Sequence, residues 1–197
     1  MKDTCDYKIY FITSNKHKYS EVKPIAEKYG FCIEMLPGYK IEIQSNDLEE
    51  IAVYSAIENY KTLRKPLMVE DAGLFVEALN GFPGPYSSYV YKTIGVNGIL
   101  KLLEGVSDRR AYFMSVVAII AEPFFIVEKG IVKGEISFTP RGTGGFGFDP
   151  IFIPKGSMKT FAEMDISEKN KYSHRAQAVS KAFEKLRYFL NKIKIPL

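Results

Sequence analysis

Residues 142–175 carry side chains suited to binding a nucleotide. Four glycines, at 142, 144, 145 and 147, precede or interrupt the two phenylalanines of FGFDP (146–150); a lysine-rich stretch follows, and the segment ends on Ser-His-Arg (173–175). Glycine lets a backbone approach a ligand closely, and an aromatic ring gives a purine base a stacking surface. A lone phenylalanine usually packs in a core, but the flanking glycines favour an accessible loop. The segment therefore predicts contacts to the base of a nucleotide.

Two cations, His174 and Arg175, stand at the start of the most regular predicted helix. Cations at a helix N-terminus oppose the helix dipole by about 0.3–1 kcal/mol each. Either they point into solvent or an anion offsets this cost, and arginine can bind a phosphate with two hydrogen bonds. These residues therefore suggest a phosphate contact as well.

A polar turn, TSNKHK at 13–18, follows the first predicted strand. Hydroxyls, an amide, backbone N–H groups and lysines meet there at a helix N-terminus, which is a suitable arrangement for binding phosphate. The GxxxxGK[ST] pattern of a P-loop is absent. An ordinary capped turn with solvated lysines fits the same residues.

Adjacent carboxylates, Glu70 and Asp71, end the short apolar stretch 67–69. Ligands in α/β sheets bind beyond the carboxyl ends of strands, and only one of two neighbouring strand residues can face a site. A carboxylate here can bind Mg²⁺, which prefers oxygen ligands, or act as a general base toward water. A structural carboxylate at a strand end fits equally well. Glu42, between two isoleucines, is by itself typical of a solvent-facing strand residue.

The composition is that of a globular protein with an anionic small ligand. The 197 residues are 46% hydrophobic and 25% charged, with a formal net charge of +4. No block of like charges indicates nucleic acid. We expect no signal peptide and no membrane association, because no apolar stretch is long enough. Cys5 and Cys32 lack metal-ligand spacing and favour a reducing compartment.

The elements that must position these residues alternate between strands and helices, which indicates an α/β fold. The predicted strands, from β-rich or alternating patterns, are 8–12, 31–36, 67–69, 111–121 and 124–136, with a hairpin turn near Lys129-Gly130. The predicted helices are a first one ending at Tyr29, one from Asp47 to about Leu63, one from Asn97 to Leu103, and a last one capped by Ser173. Pro24 should kink the first helix or move its start to Ser20.

Six segments in order along nearly the whole chain resemble the inosine/xanthosine triphosphate pyrophosphatases, a family that removes non-standard purine nucleotides. The segments are TSNKHK (13–18), EIQ (42–44), VEDAGLFVEALNGFPGPYSSY (69–89), GFGFDPIFIP (145–154), KTFAEM (159–164) and EKNKYSHRAQA (168–178).

This resemblance implies one domain over residues 1–197, with an elongated mixed central sheet, flanking helices and two lobes around a nucleotide cleft. It implies Mg²⁺-dependent hydrolysis of ITP, dITP and XTP to the monophosphate and pyrophosphate. It further implies a cytoplasmic homodimer that binds neither nucleic acid nor membrane.

The resemblance also assigns roles to single residues. Asp71 would be the proton acceptor and, with Glu42, would hold Mg²⁺. The residues carried over as triphosphate contacts are Thr13, Ser14, Asn15, Lys16, His17 and Lys18. Those carried over to the base and sugar are Phe146, Gly147, Phe148 and Asp149. Lys169 would reach phosphate or base, and His174 with Arg175 would close on the base, which leaves the phosphate and base roles of Arg175 both open.

The chain departs from common family patterns at three places. Ala72 stands at a substrate-binding position where many members have serine, so a hydroxyl contact is lost. Ser55 stands where some members carry lysine, and Ser87-Ser88 where some carry a basic residue.

Two other classes of protein compete with the enzyme. A purine-nucleotide-binding protein without catalysis would keep the aromatic loop and the cations but would not need Glu42 and Asp71. A nucleic-acid-binding protein would present a broad basic face, which the mild net charge disfavours.

Overall fold

A mixed seven-stranded sheet forms the centre of the part of the chain that the computed structural model describes, residues 7–37 and 43–193. Its order is β2-β1-β3-β5-β6-β7, and β4 pairs with β3 outside this path. The pairs β1–β2 and β1–β3 are parallel and the others antiparallel. The strands are β1 (Tyr7–Ile12), β2 (Phe31–Leu36), β3 (Leu67–Val76), β4 (Pro83–Gly84), β5 (Arg110–Ala121), β6 (Phe124–Ile136) and β7 (Phe152–Pro154).

Helices flank the sheet, which confirms the predicted mixed α/β class. They are α1 (Lys16–Lys28), α2 (Leu48–Leu63), α3 (Ser87–Thr93), α4 (Gly95–Leu102), α5 (Ile166–Tyr172) and α6 (His174–Ile193). Short 3₁₀ helices span Glu77–Leu79, Asp149–Ile151 and Phe161–Glu163. Among the described residues, none of these helices has both the length and the apolar character needed to cross a membrane.

The two faces of the sheet carry different helices. Helices α1 and α6 pack on one face against residues such as Met68 and Val117, and α2 packs on the other against Val69 and Val116. A third apolar cluster surrounds Phe113, near the amino end of β5. Because side chains alternate along a strand, Glu70 faces the α1/α6 side and Asp71 faces the α2 side.

Strand β3 is longer than predicted, because it pairs with β5 along all ten of its residues. Glu70 and Asp71 therefore lie within a strand and not at its end. The neighbouring β1 pairs only with Leu67 and Met68. The two carboxylates consequently lie just past the carboxyl end of β1, where the sheet opens on that side.

The predicted hairpin turn at Lys129-Gly130 is wrong. The turn lies at Glu122-Pro123, and Gly130 pairs with Ser115 in the middle of β6. A Cβ atom on Gly130 would lie 2.0 Å from the His174 carbonyl oxygen. This glycine thus lets α6 cross the strand closely, which is the other common reason for glycine inside a strand.

Three further predictions need correction. Helix α1 begins at Lys16 and not at Ser20, because the Asn15 side chain caps it there; Pro24 lies inside it. Helix α3 was not predicted, and α4 begins two residues before Asn97. Cys32 is disulfide-bonded and not a reduced thiol; Cys5 lies outside the described residues.

Candidate active site

A cavity of about 820 Å³ opens where β1 ends. It brings together thirteen of the residues predicted for the site: Thr13, Ser14, Asn15, His17, Lys18, Asp71, Ala72, Phe146, Gly147, Phe148, Asp149, His174 and Arg175. Lys16 is exposed and Lys169 is buried, and neither lines the cavity. Glu42 lies outside the described residues. Segments from four separate parts of the chain therefore converge on one cleft.

The turn before α1 forms one wall of the cavity. The Asn15 side chain accepts hydrogen bonds from the N–H groups of His17 (2.9 Å) and Lys18 (3.1 Å). The Thr13 hydroxyl accepts from the N–H of Asn15 at 3.1 Å. The turn is thus stabilised by its own side chains, and three of the backbone N–H groups expected to bind phosphate already donate hydrogen bonds within it.

Glu70 is fully buried at the centre of a charge cluster. Its carboxylate lies 2.8 Å from Lys18 Nζ and 3.1 Å from Arg175 Nε, and it accepts a hydrogen bond from the Ser115 hydroxyl at 2.6 Å. Burial alone would raise the pKa of Glu70, but Arg175 and Lys18 outweigh it and hold the pKa well below the usual range. Glu70 is therefore an ionised anchor for two cations.

Glu21 forms the second half of the cluster. This carboxylate of α1 is buried and pairs with Arg175 and, at 2.7 Å, with Lys169. Lys169 also lies 2.6 Å from Asp149. Burial acts to raise the pKa of Glu21, but Arg175 and Lys169 hold it below the usual range. We did not predict Glu21 from the sequence, although a glutamate beside Val22 and four residues before Ile25, both buried, is an unusual feature of an amphipathic helix.

Two carboxylates compensate the cation Arg175 at the start of α6. Arg175 is buried and pairs with Glu21 and Glu70. Together, three carboxylates balance three cations in this cluster: Glu21, Glu70 and Asp149 against Lys18, Lys169 and Arg175.

His174 is a neutral group on the cavity wall. Burial, with Arg175 as the next cause, lowers the pKa of His174 well below its usual value. Its ring stacks on Phe113 with centroids 4.7 Å apart and planes 8° apart. Within the part of the chain that the structure describes, Nδ1 has no hydrogen-bond partner. A neutral imidazole can donate or accept one hydrogen bond at each ring nitrogen, so this buried nitrogen is an unused polar group next to the cavity.

The aromatic loop at residues 142–149 is less accessible than the sequence predicts. Most of its glycines allow close packing against the protein itself: a Cβ on Gly142 would lie 2.4 Å from Ala162, and one on Gly145 2.2 Å from the Asp149 carboxylate. Only Gly147, with φ of +62°, faces open space among the glycines of this loop in the described structure.

The two phenylalanines of the loop differ in their accessibility. Phe148 is buried and makes an edge contact with Tyr91 at 5.6 Å. Phe146 is half-buried; His17 stacks on it at 5.4 Å, and Arg175 lies 5.3 Å from its centroid. A base that stacks on Phe146 must therefore displace His17 from the ring.

Asp71 is the candidate for catalysis. Its side chain is nearly buried, lines the cavity, and accepts a hydrogen bond from the Ala72 N–H at 3.1 Å. Among the described residues, no three His, Cys, Asp or Glu side chains form a metal-binding group. Mg²⁺ is usually held by one or two carboxylates together with substrate phosphates, so the Asp71 carboxylate next to an open cavity fits this ion.

Comparison with known proteins shows the family of this chain. The family model described as "Ham1 family" matches residues 9–185. A dITP/XTP pyrophosphatase of Hyperthermus butylicus is 54% identical over 92% of this chain and 95% of its own length, and one of Saccharolobus solfataricus is 52% identical over 94% and 96%. The solved structure of the Staphylococcus aureus Ham1 protein matches with a TM-score of 0.77 at 30% identity, covering 94% of this chain and 99% of that one. Because its sequence and its fold both match, the chain belongs to the Ham1 family.

Proposed function

We propose that this protein hydrolyses non-standard purine nucleoside triphosphates, namely dITP, ITP and XTP, to the monophosphate and pyrophosphate. One observation carries the proposal. A single cavity joins a neutral, aromatic wall at Phe146 and His174 to a polar wall with the Asp71 carboxylate and the Lys18 ammonium. Relatives named dITP/XTP pyrophosphatase, about half identical over nine tenths of the chain, support it.

The two walls suggest the orientation of the substrate. The purine would stack on the face of Phe146 that His17 covers, close to Gly147 and to the His174 side chain. The triphosphate would extend toward residues 13–18 and Asp71. Lys18 donates a hydrogen bond to the Glu70 carbonyl oxygen at 3.2 Å and forms an ion pair with the Glu70 carboxylate at 2.8 Å, which leaves at least one of its three N–H donors for a phosphate oxygen.

The chemistry would be an in-line attack of water on the α-phosphorus, with pyrophosphate as the leaving group. Asp71 would orient that water and accept its proton. Asp71 and Glu42 would hold Mg²⁺, which when bound offsets the negative charge of the phosphates. The ion pairs of Lys169 with Glu21 and Asp149 support a positioning role for Lys169 beneath the aromatic loop, in place of the predicted contact with the ligand.

Base selectivity is the first test of this proposal. Hypoxanthine and xanthine both carry a 6-keto oxygen, and a buried donor that binds it would be left unpaired by the 6-amino group of adenine. With Mg²⁺ present, we expect kcat/KM for ITP, dITP and XTP to exceed that for ATP by at least about 100-fold, measured as pyrophosphate release. Equal rates for ITP and ATP would contradict the proposed substrate class.

We also propose that the protein is a homodimer. The tyrosines of α3 and the residues just before it are unusually exposed, with Tyr89 at 69% and Phe82 at 40%, and exposed aromatic groups of this size mark interaction surfaces. We expect sedimentation to give a dimer at micromolar concentration and Tyr89→Glu to weaken it. A monomeric wild-type protein would overturn this proposal.

Finally, we propose a cytoplasmic location, where the nucleotide pool is found. The disulfide at Cys32 is the feature that argues against it, because reducing compartments seldom keep such bonds. Recovery in a membrane or secreted fraction of the source cells would contradict this location.

A further inference from the structure

The positive charges of the cavity are unevenly available to a ligand. Of the lining cations in the described ranges, Lys18 and Arg175 are each paired with a buried carboxylate, Glu70. Arg175 has a second such partner in Glu21. Their charges are therefore largely neutralised within the protein before any anion arrives.

Lys92 differs from both of them. It lies on α3, lines the cavity and is exposed. Within residues 7–37 and 43–193 it has no salt bridge to a carboxylate, whereas Lys18 and Arg175 do. Its charge remains available to an incoming anion.

Lys92 shares one face of α3 with other residues that line the cavity. Residues three and four apart share one face of a helix, and Ser88, Tyr91 and Lys92 follow this spacing and all line the cavity. The turn before α1, with Lys18, lines the same cavity. One face of α3 thus presents a hydroxyl, a phenol and an ammonium to the cleft.

We propose that Lys92 is a substrate-binding residue that contacts the triphosphate from the α3 side. This inference rests on the proposed function, since it takes the nucleoside triphosphate as the occupant of the cavity. All the negative charge of dITP lies on its phosphates. The hypoxanthine ring of dITP is neutral, and in the proposed orientation it faces the neutral His174. An unpaired ammonium on the cavity wall is therefore matched by the phosphates and not by the base. The sequence motifs did not indicate this residue.

The test compares Lys92→Ala with Lys92→Arg, and uses Lys101→Ala as a matched control because Lys101 is an exposed lysine of α4 outside the cavity. We expect Lys92→Ala to lower kcat/KM for dITP and XTP by about 10- to 100-fold, mainly through KM, as for loss of a hydrogen bond to a charged group. Lys92→Arg should restore most of the loss, and Lys101→Ala should match the wild type.

A binding measurement separates this inference from the proposed function. Calorimetric titration with pyrophosphate and Mg²⁺ should show weaker binding by Lys92→Ala even if the wild type does not turn over dITP, while binding of dIMP, which lacks the β- and γ-phosphates, should change much less. Wild-type affinity for pyrophosphate in Lys92→Ala would overturn the proposal. So would a loss of kcat/KM confined to XTP, because it would place Lys92 against the base.

Discussion

Asp71→Asn is expected to lower kcat by at least about 100-fold, the typical effect of removing a general base. Asparagine keeps the shape of the side chain but cannot accept the proton of the attacking water, and it removes one negative charge from the cavity. Asp71 lines the cavity on the α2 side of β3, on the opposite face from the neutralised Glu70. Release of pyrophosphate from dITP with Mg²⁺ measures the effect.

Two comparisons make this result specific to Asp71. Asp108→Asn removes a carboxylate that pairs with Arg110 at 2.7 Å, away from the cavity, and should leave kcat unchanged. If Asp71 acts mainly as a metal ligand, more Mg²⁺ will recover part of the rate; if it is the base, it will not. Activity close to that of the wild type would exclude Asp71 from the chemistry. A wild type that binds dITP without hydrolysing it would favour the non-catalytic binding protein.

Glu70→Gln is expected to lower the free energy of unfolding by about 3–5 kcal/mol, because it leaves the buried Arg175 and the partly buried Lys18 without their common partner. Glutamine has nearly the same shape, so the loss would come from charge and not from packing. Urea denaturation at pH 7 measures it. Glu34→Gln is the matched control: its carboxylate pairs with Lys8 at the surface, where such pairs contribute about 0–1 kcal/mol.

The buried Glu70 carboxylate should also make the stability of the protein depend on pH. The pKa of Glu70 is lowered in the folded protein, so between that value and its ordinary value of 4.5 the unfolded chain binds more protons. The stabilisation is fully present above about pH 4.5 and is lost as the pH falls. We expect wild-type stability to decrease in acid and the dependence to be weaker in Glu70→Gln. An equally steep decrease in both proteins would show that Glu70 does not cause it.

A milder variant covers the case in which Glu70→Gln does not fold. Ser115→Ala removes only the 2.6 Å hydrogen bond to Glu70 and should cost about 1–3 kcal/mol, since the acceptor is charged. If Ser115→Ala left the free energy of unfolding unchanged, the buried cluster would not have the stabilising role given to it here.

The sequence by itself determined the elements whose signals are local. Strand β2 lies at residues 31–36 as predicted, α2 ends at Leu63, and Ser173 caps α6, accepting a hydrogen bond from the Ala176 N–H at 3.0 Å. Alternation, caps and helical periodicity depend on residues a few positions apart, so they can be identified without the fold. The motif segments likewise identified most residues of the cleft.

Only the tertiary structure decided which cations are paired with buried carboxylates and which remain available to a ligand. It also decided which glycines serve close packing and not a turn. Glu21 pairs with Lys169 and Arg175, which are 148 and 154 positions away in the sequence. Gly130, which indicated a turn, instead lets α6 cross β6. Charge pairing and close backbone approach depend on distance in space, which the packing of α1 and α6 on one sheet face sets. For this reason the sequence left the phosphate and base roles of Arg175 both open, whereas the fold pairs Arg175 with two carboxylates and leaves Lys92 exposed to the cavity.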